Sequence, residues 1–149
     1  MLCAMADDTR YNLKRVPESQ DFILTSEIPL YPGDAACGLI ILEDGRYLLQ
    51  LRDQKADIFF PGHWGLFSGA VDQGEDPLKA LYRELEEELH LKIKNGTPFT
   101  RLEFDLTYVS LSRYYRMYYE VSLKELELTS LVLNEGKEIK HFPPGKCLH

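Results

Sequence analysis

From Pro77 to Leu91 the chain runs without a glycine and without a second proline. Leu78, Leu81, Leu85 and Leu89 recur there at three and four residues, the spacing of one buried helical stripe. Proline in a first turn wastes no donor, and acid near it suits the helix dipole, so the spacing predicts a helix from Asp76 or Pro77 to about His90. Glu84, Glu86, Glu87 and Glu88 crowd into the same stretch. Like charges one turn apart on a helix repel by about 0.2–0.5 kcal/mol per pair. Packing alone does not call for that arrangement; a divalent cation would turn the repulsion into binding.

The flanking segments read as strands. Ala35 to Leu42 (AACGLIIL) is apolar on both faces, as for a central strand covered on both sides. An Asp44-Gly45 turn joins it to Tyr47–Leu51, a hairpin pattern. Arg52 to His63 reads as a loop, and Trp64 to Val71 as a short strand broken by glycines. Phe99–Leu111 and Tyr114–Leu123 are strand-like; in the second, Tyr115, Met117, Tyr119 and Val121 share one face and Tyr114, Arg116, Tyr118 and Glu120 the other. Leu131–Leu133 and Lys137–Phe142 are short strand candidates around Asn134-Glu135-Gly136, and Phe22–Leu24 is another near the N-terminus. Strands with one clear central helix give a mixed α/β (α+β) domain over residues 35–149, preceded by an extension over residues 1–34.

Charge and cysteine usage narrow the function. A formal charge of -7 argues against a nucleic-acid or anionic-membrane binder. Cys3, Cys37 and Cys147 show no zinc or disulfide spacing. The acidic N-terminus is unlike a signal peptide, and no apolar window is long enough to span a membrane, so a reducing, cytoplasmic compartment is expected.

On a helix, Glu84, Glu87 and Glu88 stack on one side, away from the leucines. Hard oxygen ligands without Cys or His point to Mg²⁺ or Mn²⁺, with Ca²⁺ also open. Arg83, four residues before Glu87, is placed to hold that carboxylate. Magnesium so bound is usually completed by substrate phosphates and activates water, which makes phosphoanhydride hydrolysis the natural chemistry.

The order Gly69, five residues, Glu75, seven residues, then Arg83-Glu84-Leu85-x-Glu87-Glu88-x-His90-Leu91 resembles the signature box of the Nudix hydrolases, with His90 where the box ends in glycine. The resemblance implies an α/β/α sandwich around a mixed sheet and attack of water on a nucleoside diphosphate linked to another group: a nucleotide sugar, ADP-ribose or a nucleoside triphosphate. It implies Glu84, Glu87, Glu88 and the Gly69 carbonyl as metal ligands, with Glu84 also a candidate base. Arg83 would orient a glutamate, and Glu75 would support the site or bind a second metal. Glu135 and Glu138 are candidates for a base outside the box.

His90 implies local strain or a shifted helix end, and Ser68 stands where many members have a second glycine. Too little chain follows His141 for the family's C-terminal helix. Truncation, cover by the N-terminal extension and cover by a second subunit in a homodimer are the alternatives. Arg52 and Arg116 are candidate phosphate contacts, against a plain reading as surface charges. Trp64 is a candidate base-stacking residue, against a plain reading as core. Two other functions stay open: a catalytically silent module that binds a nucleotide or a partner protein, and a non-hydrolytic enzyme such as a diphosphate isomerase.

Overall fold

The computed structural model describes residues 33–144. The Phe22–Leu24 strand candidate, Cys3, Cys147 and all of the 1–34 extension before Gly33 lie outside the described residues. Seven strands form one mixed sheet: β1 (Ala35–Leu42), β2 (Tyr47–Leu51), β3 (Trp64–Gly65), β4 (Phe67–Ala70), β5 (Thr97–Phe104), β6 (Tyr114–Leu123) and β7 (Glu138–Phe142). The doubly apolar β1 is central. It runs parallel to β6 on one side, and on the other pairs antiparallel with β4 along its first half and with β2 near its end. β2 carries β3 and β7, and β5 lies outside β6. The β1–β2 turn closes as its sequence predicts, with Gly45 at φ +83 and its N–H on Leu42 O at 2.8 Å.

The helix α1 (Pro77–Leu89) has the predicted bounds. Asp76 caps it, accepting from the N–H groups of Leu78 and Lys79 at 3.0 and 3.1 Å. Leu81, Leu85 and Leu89 are fully buried against Ala36, Ile40, Phe67, Tyr119 and Val121, so the helix lies on one face of the sheet. Gly38 lets Leu81 come close: a Cβ there would stand 3.2 Å from Leu81 Cδ1. Of the helical layers of the expected sandwich, the described residues carry this long helix and one further turn, α2 (Glu125–Leu128). Among them, no helix is long and apolar enough to cross a membrane.

Two strand expectations are corrected. The run from Phe99 to Leu111 starts at Thr97 and stops at Phe104. Asp105 there accepts from the N–H of Thr107 at 3.0 Å, and the chain enters a single 3₁₀ turn, Thr107–Val109. Local capping by an aspartate diverts the backbone from the sheet ladder. Leu131–Leu133 is no strand either. Its leucines pack on the α1 side of the core, but the Val132 N–H goes to Leu89 O at 3.1 Å, bonding the helix end instead of a neighbouring strand.

Removing a fully buried leucine leaves a cavity that such a packed layer relaxes around only partly. Leu85→Ala is expected to lower the unfolding free energy by about 2–5 kcal/mol, read from the denaturant midpoint at unchanged m-value.

Candidate active site

The helix that buries its leucines carries its carboxylates at graded depth. Glu88 is 6 % exposed, Glu84 is mostly buried and Glu87 stands in solvent. The expectation that the three glutamates stack away from the leucines is therefore corrected at Glu88, which lies on the border of the leucine stripe and is buried. Its Oε2 has no hydrogen-bond partner among the described residues. Burial, reinforced by the charges of Glu84 and Glu135, pushes the Glu88 carboxyl up to about 8, with Arg52 as the opposing charge. Burial also raises Glu84, against the pull of Arg83.

Arg83 organises the entrance to this cluster. Its Nε and Nη2 donate to the two oxygens of Glu75 at 3.1 and 2.9 Å, a bidentate grip. Its Nη1 donates to Glu84 at 2.6 Å and its Nη2 to the Ala70 carbonyl at 3.0 Å. Glu87, the partner expected from spacing, is more distant at 3.8 Å. The carboxylates of Glu75 and Glu84 hold the guanidinium charged well above its ordinary value. Asp72 N–H completes Glu75 at 3.0 Å, so the loop before the helix and the helix itself close on one arginine. Gly69, on β4 opposite Ala36, leaves room for Glu84 in its place: a Cβ on it would fall 1.8 Å from Glu84 Cδ, and that side chain would have to move.

His90 resolves the missing glycine by adopting the left-handed conformation itself, at φ 54, with its N–H on Glu86 O and the Leu91 N–H on Leu85 O. The last carbonyls are bonded by the distant 132–134 segment. Asn134 donates its backbone N–H to Glu88 O at 2.8 Å and its side-chain amide to Glu87 O at 2.7 Å. This brings Glu135 close enough for its charge to act on Glu84, Glu88 and Arg52. Glu138 sits on β7 opposite Leu51 and is exposed.

Arg52 is half-buried. Its Nε donates to the Phe59 carbonyl at 2.8 Å, and burial lowers its guanidinium from its ordinary value, with Glu88 opposing and Arg116 adding to the effect. Arg116 stands on β6, on the face opposite the leucine core. Its guanidinium lies 5.8 Å from the Tyr114 ring centre, its charge opposes the rise that burial gives the Cys37 thiol, and Cys37 stands opposite Ser68 across the β1–β4 pair. Trp64 packs edge-on against Phe142, ring centres 5.1 Å apart. Asn134 and Cys37 carry no sequence signal for these places; an Asn-Glu-Gly turn is visible in the sequence, but its contact with the helix is not.

The donor set fits a hard divalent cation: buried and part-buried carboxylates, one with an unpartnered oxygen, brought together near one helix end. With Glu84 turned onto Arg83, no three carboxylate, histidine or cysteine groups stand at metal-ligand spacing among the described residues. A hollow of about 630 Å³ lies elsewhere among the described residues, beside Leu42 and Leu123 at the far ends of β1 and β6.

A family model for the NUDIX domain matches residues 32–146, and the chain belongs to that family. A 64-residue stretch is 42% identical to nucleoside triphosphatase NudI of Escherichia coli O139:H28, covering 41% of this chain and 44% of that protein. The chain thus matches less than half the length of these relatives. The fold is similar to that of MutT from Methanosarcina mazei Go1 (TM-score 0.59, 21% identity, 76% of this chain and 78% of that one). It is also similar to a C. elegans Ap4A hydrolase (TM-score 0.57, 22% identity, 75% and 80%). A third similar fold is the NUDIX domain of Shewanella oneidensis NrtR, solved with ADP ribose (TM-score 0.56, 15% identity, 81% and 80%).

A carboxyl raised by folding binds its proton more tightly in the folded state than in the unfolded one. Glu88 therefore contributes most below the ordinary glutamate range, and that contribution is lost as pH rises from there through about 8. In metal-free buffer, unfolding free energy is expected to fall across this window by at most about 1.4 kcal/mol per pH unit, and Glu88→Gln should flatten the slope. Mg²⁺ should raise Tm more at pH 8 than at pH 6 in the wild type, with little effect on the variant.

Proposed function

We propose that this chain is a pyrophosphohydrolase that uses Mg²⁺ or Mn²⁺ to split the phosphoanhydride of a nucleoside diphosphate linked to another moiety. The observation that carries the reading is the buried, unpartnered Glu88 oxygen among three further glutamates, on the helix of a NUDIX domain. Glu84, Glu87, Glu88 and the Gly69 carbonyl would hold the cation. When bound, it neutralises charge on phosphate oxygens and lowers the pKa of water.

The remaining work falls to the chain. Arg83 fixes Glu75 and Glu84 together, so Glu84 meets a ligand from a set direction. Glu135 is the favoured general base: it accepts the proton of the attacking water as the oxygen adds to phosphorus and the phosphate leaving group departs. Glu84, tied to Arg83, and Glu138, exposed on β7, are the other candidates. Arg52 and Arg116 bind substrate phosphate, and the Trp64–Phe142 contact supports packing for Trp64. Residues 35–149 form the catalytic domain and 1–34 an extension, and the dispersed cysteines suit a reducing, cytoplasmic setting.

The NudI relatives are named nucleoside triphosphatases, so nucleoside triphosphates lead the substrate panel, followed by nucleotide sugars, ADP-ribose and dinucleoside polyphosphates. With Mg²⁺ or Mn²⁺, phosphate or pyrophosphate release is expected from at least one class. Glu87→Gln and Glu88→Gln should each lower kcat by about 100-fold or more, and Arg52→Ala or Arg116→Ala should act mainly on KM. Nucleotide binding without turnover across the whole panel would reject hydrolysis in favour of a silent binding module. Equal turnover in wild type and both glutamate variants would reject the site.

A further inference from the structure

β5 is the outer strand of the sheet, and among the described residues nothing pairs with its far side. An exposed strand edge is a template for another strand unless it is blunted. Pro98 and the irregular register between Pro98 and Thr100 blunt its first residues, but Thr100 to Phe104 pair with β6 in regular register. This regular part is flanked and occupied by apolar side chains. Of the five large apolar residues most exposed among the described ones, three lie on or just after this strand: Phe99 at 62 %, Leu102 at 43 % and Tyr108.

The charges on the strand are self-complementary. Arg101 and Glu103 share the α1 face of the sheet; the guanidinium bonds Glu103 at 3.2 Å and lies 4.1 Å over the Tyr115 ring. Two copies of the strand laid antiparallel about Leu102 oppose Arg101 with the partner's Glu103, and Glu103 with the partner's Arg101. On the other face, Leu102 meets its own copy and Thr100 meets the partner's Phe104. A two-residue register slip to either side, centring on Arg101 or on Glu103, sets like charges directly opposite, and a one-residue slip puts the charged face of one copy against the other face of its neighbour. Only the Leu102-centred register satisfies both the charges and the exposed leucine.

We propose that the chain forms a two-fold symmetric dimer in which the β5 edges of two copies pair antiparallel about Leu102, with Arg101 and Glu103 as reciprocal ion pairs. The joined sheets keep α1 on the same side in both copies. They also place the partner's Leu102 and Phe104 beside the sheet face that carries Arg116, since Leu102 lies opposite Arg116 on β6. The proposal does not depend on the hydrolase reading, because mass and not turnover reports it.

Sedimentation velocity on the full chain over a concentration series tests it. The wild type is expected to pass from monomer to dimer with rising concentration. Arg101→Glu and Glu103→Arg should each weaken the dimer by at least about tenfold, and the double variant should restore it, because the swap rebuilds both pairs. Leu102→Lys should be monomeric, with circular dichroism and Tm matching the wild type to show intact folding. A wild type that stays monomeric overturns the proposal, as does a dimer that survives both single reversals or a double variant that fails to recover.

Discussion

Glu88 carries a carboxylate that cannot be comfortably ionised where it stands. It is buried, one oxygen has no donor among the described residues, and Glu84, Glu87 and Glu135 surround it with like charge. An uncompensated buried charge is costly enough that a group shifts its pKa or finds a counter-ion. The half-buried Arg52 offsets this only in part. Much of the site reads as a consequence. Three leucines fix the rotation of α1, that rotation sets Glu88 inward, and Arg83 holds Glu84 by a hydrogen bond at 2.6 Å.

The helix end depends on a second balance. A non-glycine residue in the left-handed region costs about 1 kcal/mol or more, and His90 bears that cost. The hydrogen bonds from His90, Leu91, Val132 and Asn134 to the last-turn carbonyls offset it, since otherwise these groups would end in water or without a partner. The same bonds tether the Glu135 loop to the acidic helix. A departure from the family pattern at position 90 is thus tolerated by the segment that also brings in an additional carboxylate.

Much of this was legible in the sequence because it is encoded locally. The bounds of β1, β2, β6 and α1 follow from apolar periodicity, the Asp-Gly turn and the Asp76-Pro77 start. The box is legible because its spacing resembles that of the Nudix signature, which the family match over residues 32–146 supports at the level of the family. What the sequence does not show are contacts between distant segments. Periodicity places Glu88 on a helix face but cannot say that its side chain is covered, because the cover comes from chain far away in sequence. For the same reason the sequence leaves Arg52 open between a phosphate contact and a plain surface charge, and does not show its burial. Leu131–Leu133 looks like a strand, since apolar alternation does not reveal that its N–H groups have helix carbonyls to bond instead.

The electrostatics constrain how a substrate must arrive. The charge of Arg116 adds to burial in lowering the Arg52 guanidinium, a repulsion that, under the proposed function, a substrate anion would relieve. The acidic helix and Glu135 stand close by, in a chain of net charge -7. A bare polyphosphate approaching the arginines would meet the field of the carboxylates, and a bare cation approaching the carboxylates would meet the field of the arginines. A cation–nucleotide complex presents each half of the site with its complement at once. Under the proposed function, metal and substrate should therefore bind with positive coupling, each raising the affinity for the other by the same factor, as linkage requires.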